Sequence, residues 1–294
     1  PAAVRHALRA LPPQTAIHIA TEGPLGLAAR YWLKARGMPY TTAVHTKFPE
    51  YLEARLGRPL PWAHRALRRF HQGAAATLCA TPSHRDELMA RGFRKLQIWG
   101  RGVDTRRFRP GQRNPRSGAG PLLLYVGRVA PEKNLRAFLR LATAGVQLRV
   151  VGDGPSRAVL QAQFPQVEWS GFLQGDALVQ AYRDADVMVF PSRTDTFGLV
   201  LLEAIACGTP VAAYPVPGPR DVVTCGVNGA LHRDLQQSIG DALGLDRGRV
   251  AASAGAHSWR AVTRAFLEAQ VVPPLPAMPG SRSPQPPLPG ALAA

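Results

Sequence analysis

The sequence predicts an α/β protein with parallel sheets, and three observations predict it. Short apolar runs alternate with amphipathic stretches along most of the chain, the pattern of βαβ units. The rhythm breaks at Gly111–Gly120 (GQRNPRSGAG), a polar, glycine-rich connection, and restarts at Pro121–Val126 (PLLLYV). The two halves read as the same type of domain, and 294 residues suit one large or two medium domains.

In the first half, Ala16–Ala20 (AIHIA) reads as a strand, Leu25–Arg36 as a helix and Tyr40–Val44 as a strand. Trp62–His71 is a basic helix, Ala76–Ala80 a strand, His84–Arg91 a helix started by Ser83, and Lys95–Trp99 a short strand. The second half is a clearer run. Strands are expected at Pro121–Val126, Gln147–Val151, Val167–Trp169, Val187–Phe190 and Pro210–Ala213. Helices are expected at Leu135–Ala142, Arg157–Gln163, Asp176–Ala185, Leu199–Cys207 and Trp259–Ala269. Residues 273–294 hold 8 prolines without apolar periodicity, which predicts a disordered or extended tail. The expected division is 1–110, 111–270 and a 271–294 tail.

Composition narrows the function classes. A hydrophobic content of 46% supports a sizeable core and excludes a fully disordered chain. No run approaches the roughly 18 apolar residues of a spanning helix. Cys79, Cys207 and Cys225 are far apart, which argues against a zinc module or disulfide scaffold and fits a reducing compartment. The net charge is +17, and residues 1–110 carry +13 of it. That asymmetry points to an anionic partner for the first half, although a solvated basic surface gives the same count.

Three segments carry candidate chemistry. In YVGRVAPEKNL (Tyr125–Leu135) a strand exits through Gly127, and Arg128 and Lys133 follow at a strand end, where open α/β sheets place ligands. Two cations there can converge on a diphosphate; they also suit an exposed loop. In FPSRTDTFGLVLLEAIACGTP (Phe190–Pro210) a strand and loop lead into an apolar helix. The N–H groups of Thr196, Phe197, Gly198 and Leu199 are free to bind phosphate at its start. Glu203 is the one polar side chain in Leu199–Ala206 and needs water, a cation or a hydroxyl, or else a surface position. Asp195 suits a ligand or a helix cap. VVGDGP (Val150–Pro155) is a third strand end with ordinary glycine-turn chemistry.

Together, GRVAPEKN (127–134), VVGDGP (150–155), SGFLQGDALVQAYRDADVMVFPS (170–192) and TDTFGLVLLEAIACGTPVAAYPV (194–216) resemble the retaining glycosyltransferases of family four, or group one. The motifs occur in the family's order, and the likeness runs over about residues 15–270. It implies the GT-B fold: two Rossmann-like domains facing a cleft, the first incomplete here. Arg128 and Lys133 fall on the family's diphosphate-binding cations, Glu203 on the acid for the ribose hydroxyls, and Asp195 on the acid near the donor sugar. The family has Glu, seven residues, then Glu; this chain has Asp195 in the first place, one methylene shorter. The 196–199 amides are implied for phosphate and sugar hydroxyls, and Phe172 and Leu173 for the base. His45, in TTAVHTKFPEY, matches an acceptor-domain His facing the donor sugar, with Lys47, Glu22 and Gly23 at strand ends nearby.

The resemblance implies transfer of a hexose, mannose or glucose, from a nucleoside diphosphate sugar with retention, without a cofactor or metal. The wording HIATEGPLGLAAR and HTKFPEY is similar to bacterial members that glycosylate membrane lipids. A lipid or glycan acceptor follows, with the enzyme cytoplasmic and peripheral on an anionic membrane. Trp62–His71 is the expected docking helix, with Trp62 and Phe70 as anchors. Two other readings share the data: a nucleotide-sugar epimerase of the same fold, and a basic anion- or nucleic-acid-binding protein. The second lacks stacking platforms and recognition motifs, so no nucleic-acid partner is expected. The family's first strand and Gly-rich loop would precede Pro1. The acceptor domain is therefore expected to be incomplete, and this chain inactive or unstable through an exposed sheet edge.

Overall fold

A computed structural model describes residues 2–45, 48–115, 120–142, 145–193 and 197–273. Lys47, Asp195, Thr196 and the Pro-rich tail from residue 274 lie outside them. The described residues form two parallel sheets flanked by helices.

The first sheet contains β1 (His18–Ile19), β2 (Thr41–Val44), β3 (Ala76–Cys79) and β4 (Leu96–Ile98), in the order 1-2-3-4. Its helices are α1 (Ala2–Arg9), α2 (Pro24–Lys34), α3 (Phe48–Leu56), α4 (Pro61–His71) and α5 (Pro82–Ala90). β2 and β3 are buried throughout, whereas β4 is an exposed edge. A packed group of Ile17, Trp32, Leu33, Tyr40 and Phe70 forms one side of this half's core.

The second sheet contains β5 (Leu122–Val126), β6 (Gln147–Val151), β7 (Glu168–Gly171), β8 (Val187–Phe190), β9 (Val211–Ala213) and β10 (Gly229–Leu231). Their order is 10-9-8-5-6-7. LLLYV and VMVF are apolar at every position because both faces of β5 and β8 are covered, as central parallel strands require. The covering helices include α6 (Leu135–Leu139), α7 (Arg157–Gln163), α8 (Gly175–Asp184) and α9 (Leu199–Ala206). α10 (Pro219–Val222), α11 (Leu235–Leu243), α12 (Arg247–Ser253) and α13 (Trp259–Glu268) follow. Gly152 leaves β6 at φ 137°, and a Cβ there would collide with the Gly127 carbonyl. This close approach fixes the exits of β5 and β6 side by side.

Two expectations need correction. Thr81, not Ser83, starts α5: its Oγ1 accepts from the His84 N–H at 3.1 Å, and Pro82 supplies a preset first turn. Phe70 is not an interface anchor. It is 5% exposed and sits in the first core, whereas Trp62 is 62% exposed. Eight residues of helix separate the two by about 80° of rotation, so they occupy different faces.

Among the described residues the chain crosses between the halves twice. After Ile98 it enters the second half, and α13 then returns. Phe266 and Ala269 pack with Ala43, Leu78 and Trp99 against the first sheet. Val103 pairs with Ser258, and Thr41 Oγ1 donates to Gln270 Oε1 at 2.8 Å. A further tie joins the Ser83 N–H to Asp221 Oδ1 at 2.9 Å. The final helix thus belongs to the second half in sequence and to the first in space.

Candidate active site

The carboxyl ends of the strands meet around a cavity of about 690 Å³ between the two halves. Its second-half wall is built from two loops. Tyr125, at the end of β5, donates its hydroxyl to the Arg128 carbonyl at 2.8 Å and pins the first loop. A turn of 3-10 helix at Pro131–Lys133 ends at Asn134, which takes a left-handed conformation (φ 52°). Asn134 Nδ2 then donates to the Pro191 carbonyl at 3.0 Å and ties this loop to the exit of β8. Arg128 and Lys133 both line the cavity. Arg128 also lies 3.5 Å from Glu132, an exposed pair worth little.

The second loop leaves β8 and enters α9 through Gly198, at φ 77°. A side chain at that position would be strained, so glycine sets the angle at which the helix starts. Gly198, at the N-cap of α9, has no side chain to cap the helix, whose first N–H groups face outward from its start and suit an anion. Phe197, Gly198, Leu199 and Val200 line the cavity beside Arg128 and Lys133.

Glu203 lies one turn into α9, outside the cavity lining. Tyr182 of α8, fully buried, donates its hydroxyl to Glu203 Oε2 at 2.7 Å. Burial raises the Glu203 pKa, while the Tyr182 bond and the charge of Arg107 pull it down. Burial also drives the Tyr182 pKa well up, so the phenol stays a donor. The sequence reading missed Tyr182 and Arg107. The requirement that Glu203 find a hydroxyl or cation was the signal, and the protein meets part of it itself. Phe172 is 70% exposed after β7, and Leu173 packs against the core; neither lines the cavity.

The first-half wall differs. His45 follows β2 and is exposed, with its ring 5.6 Å from that of Trp99. It does not line the cavity, but Trp99, Gly100, Arg101 and Gly102 do. Partial desolvation of the ring and then the Arg101 charge lower the His45 pKa, with Glu22 opposing, so the imidazole is neutral at pH 7. Glu22 is held from behind by His71. This buried His donates Nε2–H to Glu22 Oε1 at 3.0 Å and contacts Thr42 Oγ1 through Nδ1 at 2.9 Å. Gly23 starts α2 in extended conformation. Trp259 and Val262 of α13 complete the wall.

The family model described as Glycosyltransferase Family 4 matches residues 1–107, and that described as Glycosyl transferases group 1 matches residues 120–244. The chain belongs to glycosyltransferase family four. A GDP-mannose-dependent alpha-mannosyltransferase of Mycobacterium tuberculosis is 34% identical to this family-four chain, covering 74% of it and 60% of the relative. A sulfoquinovosyl transferase of Arabidopsis thaliana is 33% identical, covering 70% of the chain and 44% of the relative. Among solved structures, Anabaena HepE in complex with UDP superposes with a TM-score of 0.70 at 16% identity, over 91% of the chain and 80% of HepE. The lipopolysaccharide outer core galactosyltransferase WaaB superposes at 0.63 and 19% identity, over 83% of the chain and 78% of WaaB. The GT-B fold follows. The family-four chain spans 60% or less of the length of the curated relatives named here.

Proposed function

We propose that this chain carries the donor site and part of the acceptor site of a retaining hexosyltransferase. Its donor is a nucleoside diphosphate sugar, GDP-mannose first among candidates, and its acceptor a lipid or glycan hydroxyl. The observation that carries this reading is the convergence of Arg128, Lys133 and the glycine-led start of α9 on one cavity wall. The matched relatives named as GDP-mannose-dependent and the neighbour holding UDP support it.

The chemistry follows from charge. Breaking the bond between the sugar's anomeric carbon and the phosphate oxygen sends an electron pair to the diphosphate. Arg128, Lys133 and the α9 amides stabilise that charge without a metal. The acceptor oxygen bonds the anomeric carbon from the same face, and its proton leaves with the diphosphate. Glu203, oriented by Tyr182, takes the ribose hydroxyls. Asp195 holds the sugar hydroxyls, and the backbone groups of Phe172 and Leu173, outside the cavity lining, meet the base. Neutral His45, behind the lining residue Trp99, is the sugar's hydrogen-bonding partner on the other side. On the outer surface, Trp62 and exposed Arg65, Arg68 and Arg69 of α4 dock the enzyme on the cytoplasmic face of an anionic membrane. No helix among the described residues is long and apolar enough to cross a membrane.

The test is transfer from GDP-mannose and UDP-glucose to a bacterial lipid extract, with product configuration read by NMR. Retention is expected, and Lys133→Gln should lower transfer by about 10²–10³-fold. Inversion, or no binding of any nucleoside diphosphate, overturns the proposal. Vesicle co-sedimentation should show binding to anionic but not neutral vesicles, weakened in Trp62→Ala.

A further inference from the structure

The end of α13 meets the first sheet through one polar chain, and its hydrogen bonds fix the protons along it. Gln270 Nε2 donates to the Phe266 carbonyl at 2.9 Å, so the amide turns Oε1 toward Thr41. Thr41 Oγ1 donates to that oxygen at 2.8 Å. A hydroxyl has one hydrogen, so toward His18 Nδ1, also 2.8 Å away, Oγ1 is left to accept. His18 of β1 therefore carries a proton on Nδ1, and its charge depends on Nε2 alone.

Nε2 is buried. The imidazole stands edge-to-face with Phe266 and Trp99, at 5.0 and 6.1 Å between ring centres. Ala43, Leu78 and Ala269 complete the apolar seam around those two rings. A second proton on His18 places a full charge in this seam, and burying a charge among apolar groups is costly. The groups facing it do not offset that cost. Thr41 of β2 and Trp99 after β4 are uncharged, and on α13 Arg264 and Glu268 are exposed. The carboxyl end of α13 would draw a cation, but Gln270 Nε2 already takes the Phe266 carbonyl. His45, beyond β2, is the titratable neighbour whose charge reaches His18, and it repels a second cation; Glu22 and Arg101 act on His45 in turn. Burial first, and His45 second, hold the His18 pKa below its ordinary 6.5.

We propose that His18, Thr41 and Gln270 form a proton-operated clasp, which holds α13 on the first sheet while His18 is neutral and lets go when His18 gains its second proton. Trp259 and Val262 of the same helix line the cavity, so release also loosens that wall. The inference does not depend on what the cavity binds. Its sign follows from linkage. The folded state holds the second proton less tightly than the released state, so the clasp is fully closed above the ordinary value of 6.5 and weakens as pH falls through it.

Two measurements test this on the whole chain. In a two-bond ¹H–¹⁵N spectrum of ¹⁵N-histidine protein at pH 7.5, the signal missing from His18→Asn should show a proton on Nδ1 and a bare Nε2. Hydrogen exchange then reads protection of the 262–270 amides, corrected for the intrinsic pH dependence of exchange. Protection should fall about threefold or more between pH 7.5 and pH 5. The β5 amides should not share the fall. His18→Asn keeps a donor near the place of Nδ1 and cannot titrate, so it should hold protection constant over the same range. Gln270→Ala, a mild change beyond the end of α13, should lower protection at pH 7.5 itself. A proton on Nε2 at pH 7.5 overturns the inference, as does protection that ignores pH in wild type or ignores Gln270→Ala. A fall that survives in His18→Asn overturns it too, because His45, or His257 just before α13, then controls the helix. An equal fall at β5 would mean that the whole fold responds and not the clasp.

Discussion

The two halves share a plan and differ in how they assemble a wall of the cleft. The second half builds its wall from two short segments, each contiguous in sequence and each at the end of a central strand. The first half builds its wall from the loop after β4 and from α13, more than 150 residues later. The second sheet has six strands and a buried centre, while the first ends in an exposed edge strand. Chemistry carried by one loop is visible as a motif, whereas chemistry assembled by topology is not.

Core substitutions probe this contrast most strongly. Phe138→Ala in the second core and Phe70→Ala in the first should each cost about 3–5 kcal/mol, measured by denaturant unfolding. A Phe70→Ala protein as stable as wild type would break the account of α4 and return Phe70 to the surface. Next in size is Gly152→Ala, which forces a strained φ and a collision with the Gly127 carbonyl. It should cost about 1–3 kcal/mol in a thermal melt and weaken nucleotide binding as the β5 exit shifts. An unchanged melting temperature would show that the two exits are not fixed against each other.

Burial raises the Glu203 pKa above the ordinary carboxylate value of 4.5. The folded state therefore holds this proton more tightly than the unfolded state. The resulting stability is fully present below the unfolded value and is lost as pH rises through the folded value. Glu203→Gln should remove this fall in stability above pH 4.5 while losing affinity for the ribose of GDP. A pH–stability curve identical to wild type would sink the assignment. The smallest effect belongs to the exposed edge. Ile98→Ala on β4, 40% exposed, should stay within about 0.5 kcal/mol, and a larger loss would mean the edge is covered.

The same contrast explains what was legible. Arg128, Lys133 and Gly198 could be placed at the cavity because a strand end, a glycine and a helix start are local features of the sequence. Tyr182, Arg107, Arg101 and Trp259 could not, since each reaches its place through packing between distant elements. The expected parallel α/β architecture is present, but α1, α3 and the stretch 219–253 went unread. α11 and α12 each carry a local signal, because Asp234 caps Gln236 at 2.9 Å and Asp246 caps Arg249 at 2.8 Å. Their apolar faces are short, and capping residues alone did not mark them as helices. Phe70 was misplaced for the opposite reason. An aromatic on a basic helix looks like an anchor until its angular position relative to Trp62 is worked out.

The return of α13 has a mechanical consequence. Two stretches of chain bridge the cleft, one after β4 and one before α13, so the halves are joined as a door is by two hinges. Opening is then a bending about the line through both crossings, and twisting about the perpendicular axis strains Val103 against Ser258. A protease cut between Asp104 and Pro121 severs one hinge only. The two pieces should elute together under native conditions, held by Phe266 and Ala269 in the first sheet's apolar seam.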